Sequence, residues 1–313
     1  MRQKIIIDTD PGQDDAVAIL LALASPDEIE VLGITAVAGN VPLSRTSSNA
    51  RKVLELAGRP DVPVHAGCMR PMLRKPRTAE YVHGPTGLNG PDLPEPEMPL
   101  GKAHGVDWLI ETINAHAPKT ITLCTLGPLT NVGMALVKSP GIAGRIKQIV
   151  MMAGAYFEVG NVTPAAEFNV YVDPEAAGVV LGSGIPITML PLDMTHQVLS
   201  TRERIEKLRR LGNKAGRAVA EMLTFSEAFD VKKYGWTGAP LHDPNVIAFL
   251  LLPELYSGRT VNVSIETDSA LTLGMTVADW WGVTDRPKNA LFLRDVDAKG
   301  FYALLTERLA RLP

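Results

Sequence analysis

The chain has 313 residues, 46% of them hydrophobic and 21% charged, which suits a globular α/β protein with a large core. Thirty-one Lys and Arg against 34 Asp and Glu leave a formal charge of −3, so no overall basic field exists to hold a nucleic acid, and none is expected as a partner. The two cysteines, Cys68 and Cys124, make neither a disulfide framework nor a zinc spacing and fit a reducing compartment.

From the first residues, short apolar runs alternate with helical patterns. The N-terminal stretch Met1–Ile5 enters a strand-like run with no room for a signal sequence. No apolar stretch reaches the ~18 residues that a membrane span requires, so a cytoplasmic protein without a membrane partner is expected. Lys4–Asp8 reads as a buried strand, and Asp14–Ala24 as a helix with Ala16, Ile19, Leu20 and Leu23 on one stripe. Glu30–Val37 predicts a second strand and Leu43–Ala57 a second helix. Further strands are expected at Val62–His65, Thr120–Cys124, Gln148–Met152 and Pro186–Leu190, with helices near 104–117, 129–138 and 173–182 between most of them. The Pro-rich piece 85–99 reads as a surface loop. After about residue 200 the pattern turns mainly helical, at 201–211, 214–230, 244–251 and 298–310, with one strand at 260–266. The basic stretch Arg202–Arg217 also carries Glu203 and Glu206 and reads as a solvated helix face. The expected fold class is α/β: one Rossmann-like domain over 1–313, with a mainly parallel central sheet and a helical C-terminal embellishment. In such sheets ligands sit beyond the carboxyl ends of the strands.

The strongest local signal lies at such an end. Asp8-Thr9-Asp10-Pro11-Gly12-Gln13-Asp14-Asp15 crowds four carboxylates into eight residues. Helix capping and the helix dipole account for Asp14 and Asp15. They do not account for Asp8 and Asp10, whose mutual repulsion is relieved most simply by a bound cation. All-oxygen ligands select Ca²⁺ or Mg²⁺. An EF-hand is excluded, because the glycine position, counted from Asp8, holds Gln13 and the closing glutamate position holds Ile19. Elsewhere, Asp243 before Pro244 suits a helix cap, and Asn40 after Gly39 suits a turn as readily as a ligand contact.

DTDPGQDDA resembles the N-terminal signature of the inosine-uridine-preferring nucleoside hydrolases. The resemblance continues in order through Val37-Ala38-Gly39-Asn40, His83-Gly84-Pro85-Thr86-Gly87, Leu126-Gly127-Pro128-Leu129-Thr130-Asn131, Gly160-Asn161 with Ala166-Glu167-Phe168-Asn169, and Leu241-His242-Asp243-Pro244. It implies hydrolysis of the N-glycosidic bond of ribonucleosides to free base and ribose, by a Ca²⁺-bound water activated by an aspartate. It further implies a homotetramer or homodimer. Carried over residue by residue, it makes Asp10, Asp15, Asp243 and the carbonyl of Leu126 the Ca²⁺ ligands, and Asp10 the general base. Asp14 and Asn40 fall to the ribose hydroxyls, Asn161, Glu167 and Asn169 to the sugar, with Glu167 and Asn161 near its 5′-hydroxyl. Met152 and Phe168 line the sugar or base pocket. His83 lies in a matched block near the substrate, and His242 is the candidate acid for the leaving base. Asp230 and Tyr234 fall in a segment that closes over the base; Tyr234 leans towards pyrimidines, whereas Asp230 departs from the amide expected beside it. His65, His104, His116 and His196 receive no role. Two other readings use the same residues: a calcium-dependent nucleoside or ribose binder without turnover, and a Mg²⁺ phosphohydrolase suggested by Asp8-x-Asp10, although Pro11-Gly12-Gln13 departs from that pattern.

Overall fold

The computed structural model describes residues 2–313, apart from the side chain of Asp230. In chain order, β1 (Gln3–Thr9), α1 (Gln13–Leu23), β2 (Ile29–Ala36), α2 (Leu43–Leu56) and β3 (Val64–Ala66) form the first half of a wound sheet. After α3 (Glu80–His83) come α4 (Gly105–Ala115), β4 (Ile121–Thr125), α5 (Thr130–Lys138), β5 (Gln148–Met152), α6 (Phe168–Val172), α7 (Pro174–Leu181) and β6 (Ile187–Leu190). The remainder comprises α8 (Leu192–Thr195), β7 (Leu199–Thr201), α9 (Arg202–Arg209), α10 (Lys214–Tyr234), β8 (Gly238–Pro240) and α11 (Pro244–Leu251). It ends with β9 (Tyr256–Val261), β10 (Val263–Ile265), β11 (Thr276–Ala278), β12 (Ala290–Val296) and α12 (Ala298–Leu309).

The main sheet has eight strands in the order β3-β2-β1-β4-β5-β6-β12-β9. Every pairing is parallel except β12 with the edge strand β9. Because both faces are covered, β1 reads as a continuous apolar run, and its alternation is spent on two cores. Ile5 and Ile7 pack into one, with residues of α1, α2, α10, α11 and α12; Ile6 packs into the other, with residues of α4, α5 and α7. The strand order reverses between β1 and β4, and the site described below lies beyond that reversal.

The C-terminal part differs from the sequence expectation. The run expected as one strand at 260–266 breaks at Asn262: β9 pairs with β12 in the main sheet, while β10 leaves to pair with β11. Asn262 is tied into the turn by its Nδ2, which donates to Pro287 O, and by its own carbonyl, which accepts from Asp279 N. The sequence reading did not anticipate β12, yet β12 closes the parallel part of the sheet against β6. The Pro-rich stretch 85–99 is irregular, as expected, but it buries Leu88 and Met98 against the first core.

Candidate active site

Asp10 stands just beyond β1 and is 1% exposed. Its Oδ2 accepts the backbone N–H of Asn40 at 2.7 Å, while Oδ1 is buried with no hydrogen-bond partner among the described residues. The loops after β2 and β4 close around it at two glycines. A Cβ on Gly39 would lie 2.0 Å from Asp10 Oδ2, and one on Gly127 2.3 Å from Oδ1. Only a hydrogen at these positions leaves room for the carboxylate.

Asp15 serves the helix-start role that the sequence allowed. As the third residue of α1 it accepts the Gly12 N–H at 2.9 Å, the half of a capping box that a glycine N-cap permits, and the Thr9 hydroxyl at 2.5 Å. It also accepts from Asn40 Nδ2 at 3.2 Å. Asp14, Asp15 and Asp243 offer carboxylate oxygens within 4.8 Å of one another. The tightest trio thus contains Asp14 in place of the expected Asp10, which stands beside it. Burial, then the charge of Asp15, raises the Asp10 carboxyl well above the ordinary range. Burial followed by Asp14 raises Asp15, and burial followed by Asp14, Asp15 and Asp10 raises Asp243. Four clustered carboxyls, one with an orphaned buried oxygen, form an oxygen donor set that fits a hard divalent cation.

Asp8 does not join this cluster, contrary to the charge argument made for it from the sequence. Its Oδ1 accepts from Thr35 Oγ1 at 2.5 Å and Asn131 Nδ2 at 2.8 Å. Burial pushes its pKa up to about 7.

Around the carboxylates, the pocket is lined by Asp14, Asn40, His83 and Leu126 from the β1, β2, α3 and β4 ends. Met152, Asn161, Glu167, Phe168 and Asn169 continue the wall, and Tyr234, His242 and Asp243 complete it. Every described residue assigned to substrate from the sequence therefore lines one cavity; the Asp230 side chain lies outside the described residues. Asn169 Nδ2 donates to the carbonyls of Leu126 at 2.7 Å and Met152 at 3.0 Å, tying the ends of β4 and β5 together. The Leu126 carbonyl keeps its second lone pair. Glu167 is the N-cap of α6, accepting from Asn169 N, Val170 N and Gly154 N at 2.7–3.2 Å. Asn161 Oδ1 accepts from Phe168 N at 2.9 Å. The polar side chains of this stretch hold the backbone as well as face the cavity.

His83 Nδ1 meets Gln13 Oε1 at 2.6 Å, and Gln13 Nε2 donates back to the His83 carbonyl at 3.0 Å. His242 Nδ1 meets the Thr195 hydroxyl at 2.7 Å, and burial, followed by His196 and His83, brings its pKa down to about 3. Sequence reasoning gave no role to His196, Lys233 or Tyr81, which also line the cavity. The available signal for His196 was its place in the polar stretch following the apolar β6 run.

An α/β sheet with a carboxylate cluster at its switch point and a cavity deep enough to sequester a small ligand defines a small-molecule enzyme of the cation-assisted kind. The chain belongs to the inosine-uridine preferring nucleoside hydrolase family, whose model matches residues 5–303. An uncharacterized protein of Schizosaccharomyces pombe is 58% identical over 310 residues, covering 99% of this chain and 100% of that one. A pyrimidine-specific ribonucleoside hydrolase of Photobacterium profundum is 47% identical, covering 99% of each chain. Among solved structures, a purine-preferring ribonucleoside hydrolase from Gardnerella vaginalis matches with a TM-score of 0.92 at 31% identity over 98% of each chain. A plant nucleoside hydrolase matches with a TM-score of 0.92 at 34% identity over 99% of each chain. The protein is thus an N-glycosyl hydrolase of ribonucleosides, and the phosphohydrolase and binder readings fall away. The family is metal-dependent, in keeping with the aspartate cluster. Among the described residues no helix is long and apolar enough to cross a membrane.

Proposed function

We propose that the chain hydrolyses pyrimidine ribonucleosides, uridine and cytidine before inosine, with one Ca²⁺ held by Asp10, Asp15, Asp243 and the Leu126 carbonyl. The observation that carries the metal assignment is the buried, unpartnered Oδ1 of Asp10 beside three converging carboxylates. A ligand set made only of oxygens favours Ca²⁺ over zinc. When bound, the ion supplies positive charge that orients the ribose diol and acidifies a water.

In this reading, Asp10 takes the proton of the attacking water, having one carboxylate oxygen fixed by Asn40 and the other free. Asp14, and Asn40 through its Oδ1, accept from the ribose hydroxyls, since the Asn40 Nδ2 already donates to the Asp10 carbonyl and to Asp15. Asn169, Asn161 and Glu167 bind the sugar, the last two near its 5′-hydroxyl, while Met152 and Phe168 exclude water from its apolar face. His83 and His242 face the base; His242, tied to Thr195, hydrogen-bonds it. Tyr234, stacked on Trp236 at 4.4 Å between ring centroids, forms the flat wall for the base. The pyrimidine preference is supported by the full-length similarity to a hydrolase named as pyrimidine-specific and by Tyr234. A cytoplasmic location and a homodimer or homotetramer complete the proposal.

Reducing-sugar release from uridine, cytidine and inosine, measured before and after chelation and calcium add-back, tests the proposal. Release that is fastest from the pyrimidines, lost on chelation and restored by Ca²⁺ is expected. Full activity in a calcium-free sample overturns the metal assignment, and a higher kcat/KM for inosine overturns the preference.

A further inference from the structure

His196 is the one cavity-lining histidine that contacts a carboxylate among the described residues. It follows α8 directly, and its Nδ1 lies 3.3 Å from Glu158 Oε2. Its side chain is 9% exposed, whereas that of Glu158 is 45% exposed, so the pair joins the cavity to solvent. On the cavity side its ring packs against Trp236 at 4.8 Å, His242 at 5.8 Å and Tyr234 at 6.1 Å between centroids. These are the groups assigned above to the base.

The arrangement is built from a single turn of helix. Asp193 in α8 accepts the backbone N–H groups of Tyr156, Phe157 and Glu158 at 3.0, 2.5 and 3.3 Å, which fixes the segment carrying Glu158. Thr195 holds His242, and His196 follows it. Three nearly consecutive residues thus position both imidazoles and the carboxylate. His242, by contrast, has a hydroxyl as its Nδ1 partner. A hydroxyl orients a ring without favouring its charged form, whereas a carboxylate does both.

We propose that His196, held by Glu158, donates the proton that the departing base takes up, with His242 a hydrogen-bonding neighbour. When the C1′–N bond breaks, its electron pair stays on the base. The His196 imidazolium gives its proton to the base, leaving a neutral ring, while the water oxygen bonds to C1′ and the water proton goes to Asp10. His196 regains a proton from solvent past the exposed edge of Glu158. Glu158 is a positioning residue that acts through the ring. Burial is the largest influence on the ring and lowers its pKa below the ordinary imidazole value; of the charged groups facing it, the Glu158 and Asp193 carboxylates favour its protonated form and the Lys233 ammonium disfavours it. The inference rests on the nucleoside-hydrolase reading of the cavity.

The test compares uridine, whose base leaves poorly without a proton, with p-nitrophenyl riboside, whose phenolate leaves without one. Loss of a general acid costs ~10²–10⁴-fold. His196→Ala and His196→Gln should therefore lose at least ~10²-fold in kcat/KM on uridine, and about tenfold less than that on p-nitrophenyl riboside. Glu158→Gln removes a group that favours the imidazolium, so the alkaline limb of the uridine kcat/KM profile should move to lower pH. Glu158 is half in solvent, so this variant tests the idea even where substitution of His196 perturbs folding. Parallel losses on both substrates, or a Glu158→Gln profile that does not move, overturn the role of His196. A wild-type enzyme that cleaves neither substrate overturns the underlying reading as well.

Discussion

At the scale of single residues, Asp10 combines two demands that are normally separate. One oxygen is fixed by Asn40 N–H and the other is buried without a partner. Asp10→Asn keeps an oxygen for the cation but cannot take the water's proton. A fall in kcat of ~10²–10⁴-fold with a smaller change in KM is expected from steady-state kinetics on uridine. Retention of half the wild-type kcat would remove Asp10 from that step. Gly127 probes the same carboxylate from outside. The Cβ of Gly127→Ala must displace Asp10 Oδ1, since 2.3 Å is far inside any carbon–oxygen contact. A 1 Å misplacement in an active site costs on the order of 10²-fold in rate. Gly127→Ala is therefore expected to lose about that much activity together with bound calcium by elemental analysis. Normal calcium with full activity would show that the loop yields without moving Asp10.

At the scale of elements, the site depends on side chains that tie loop ends to one another. Asp173 caps α7 through Ala176 N at 3.1 Å, and accepts the Thr130 hydroxyl of α5 at 2.6 Å and Met72 N at 2.9 Å. Asp173→Ala removes a cap, typically ~1 kcal/mol, and strands two donors, each ~1–3 kcal/mol when left unsatisfied. A loss of about 3 kcal/mol in unfolding free energy by urea titration is expected; a loss under ~1 kcal/mol would mean the loop relaxes to satisfy them. By contrast, the pairs of Glu203 with Lys207 and of Glu206 with Arg209 and Arg210 on α9 are well exposed. They bear out the solvated face read from Arg202–Arg217 and add little stability.

At the scale of the whole molecule, the carboxylate cluster links cation binding to pH and to folding. Asp10, Asp15 and Asp243 have raised pKa values in the folded chain without the ion, as does Asp8, at about 7 against an ordinary 3.8. A raised folded value means that the native state binds the proton more tightly than the unfolded chain. The stabilisation is complete below the unfolded value near 3.8 and is lost as pH rises through the folded one. Calcium-free protein should therefore melt at progressively lower temperature as pH rises from about 4 to about 7. Calcium has the opposite preference, since it requires the deprotonated carboxylates. At ~100 times its Kd it stabilises by about 2.7 kcal/mol. The gap in Tm between calcium-loaded and chelated protein should widen from pH 5 to pH 8 by scanning calorimetry. A gap independent of pH would dissociate the cation from Asp10, Asp15 and Asp243.

The alternation of apolar strands and amphipathic helices along residues 4–190 was legible in the sequence because each element carries its own period. So was the DTDPGQDD cluster, because its charges are local. The strand β12 was not legible, since its pairing with β6 and β9 is made across about 100 and 30 residues of chain and its seven residues carry no turn signal of their own. Nor could the sequence separate Asp8 from Asp10. Only the positions of Thr35 and Asn131 give Asp8 Oδ1 its two donors, and only the close approach of Gly39 and Gly127 packs the Asp10 carboxylate with an Oδ1 that has none. His196 makes the same point at the base end of the cavity. The groups its ring meets, Glu158, Tyr234, Trp236 and His242, are far from it in the chain. The sequence by itself determined the fold class and the family, because those follow from local periodicity and contiguous motifs. The tertiary structure decided which carboxylates converge and which imidazole meets a carboxylate, because pKa and hydrogen-bond partnership are set by neighbours brought together only when the sheet and its loops close.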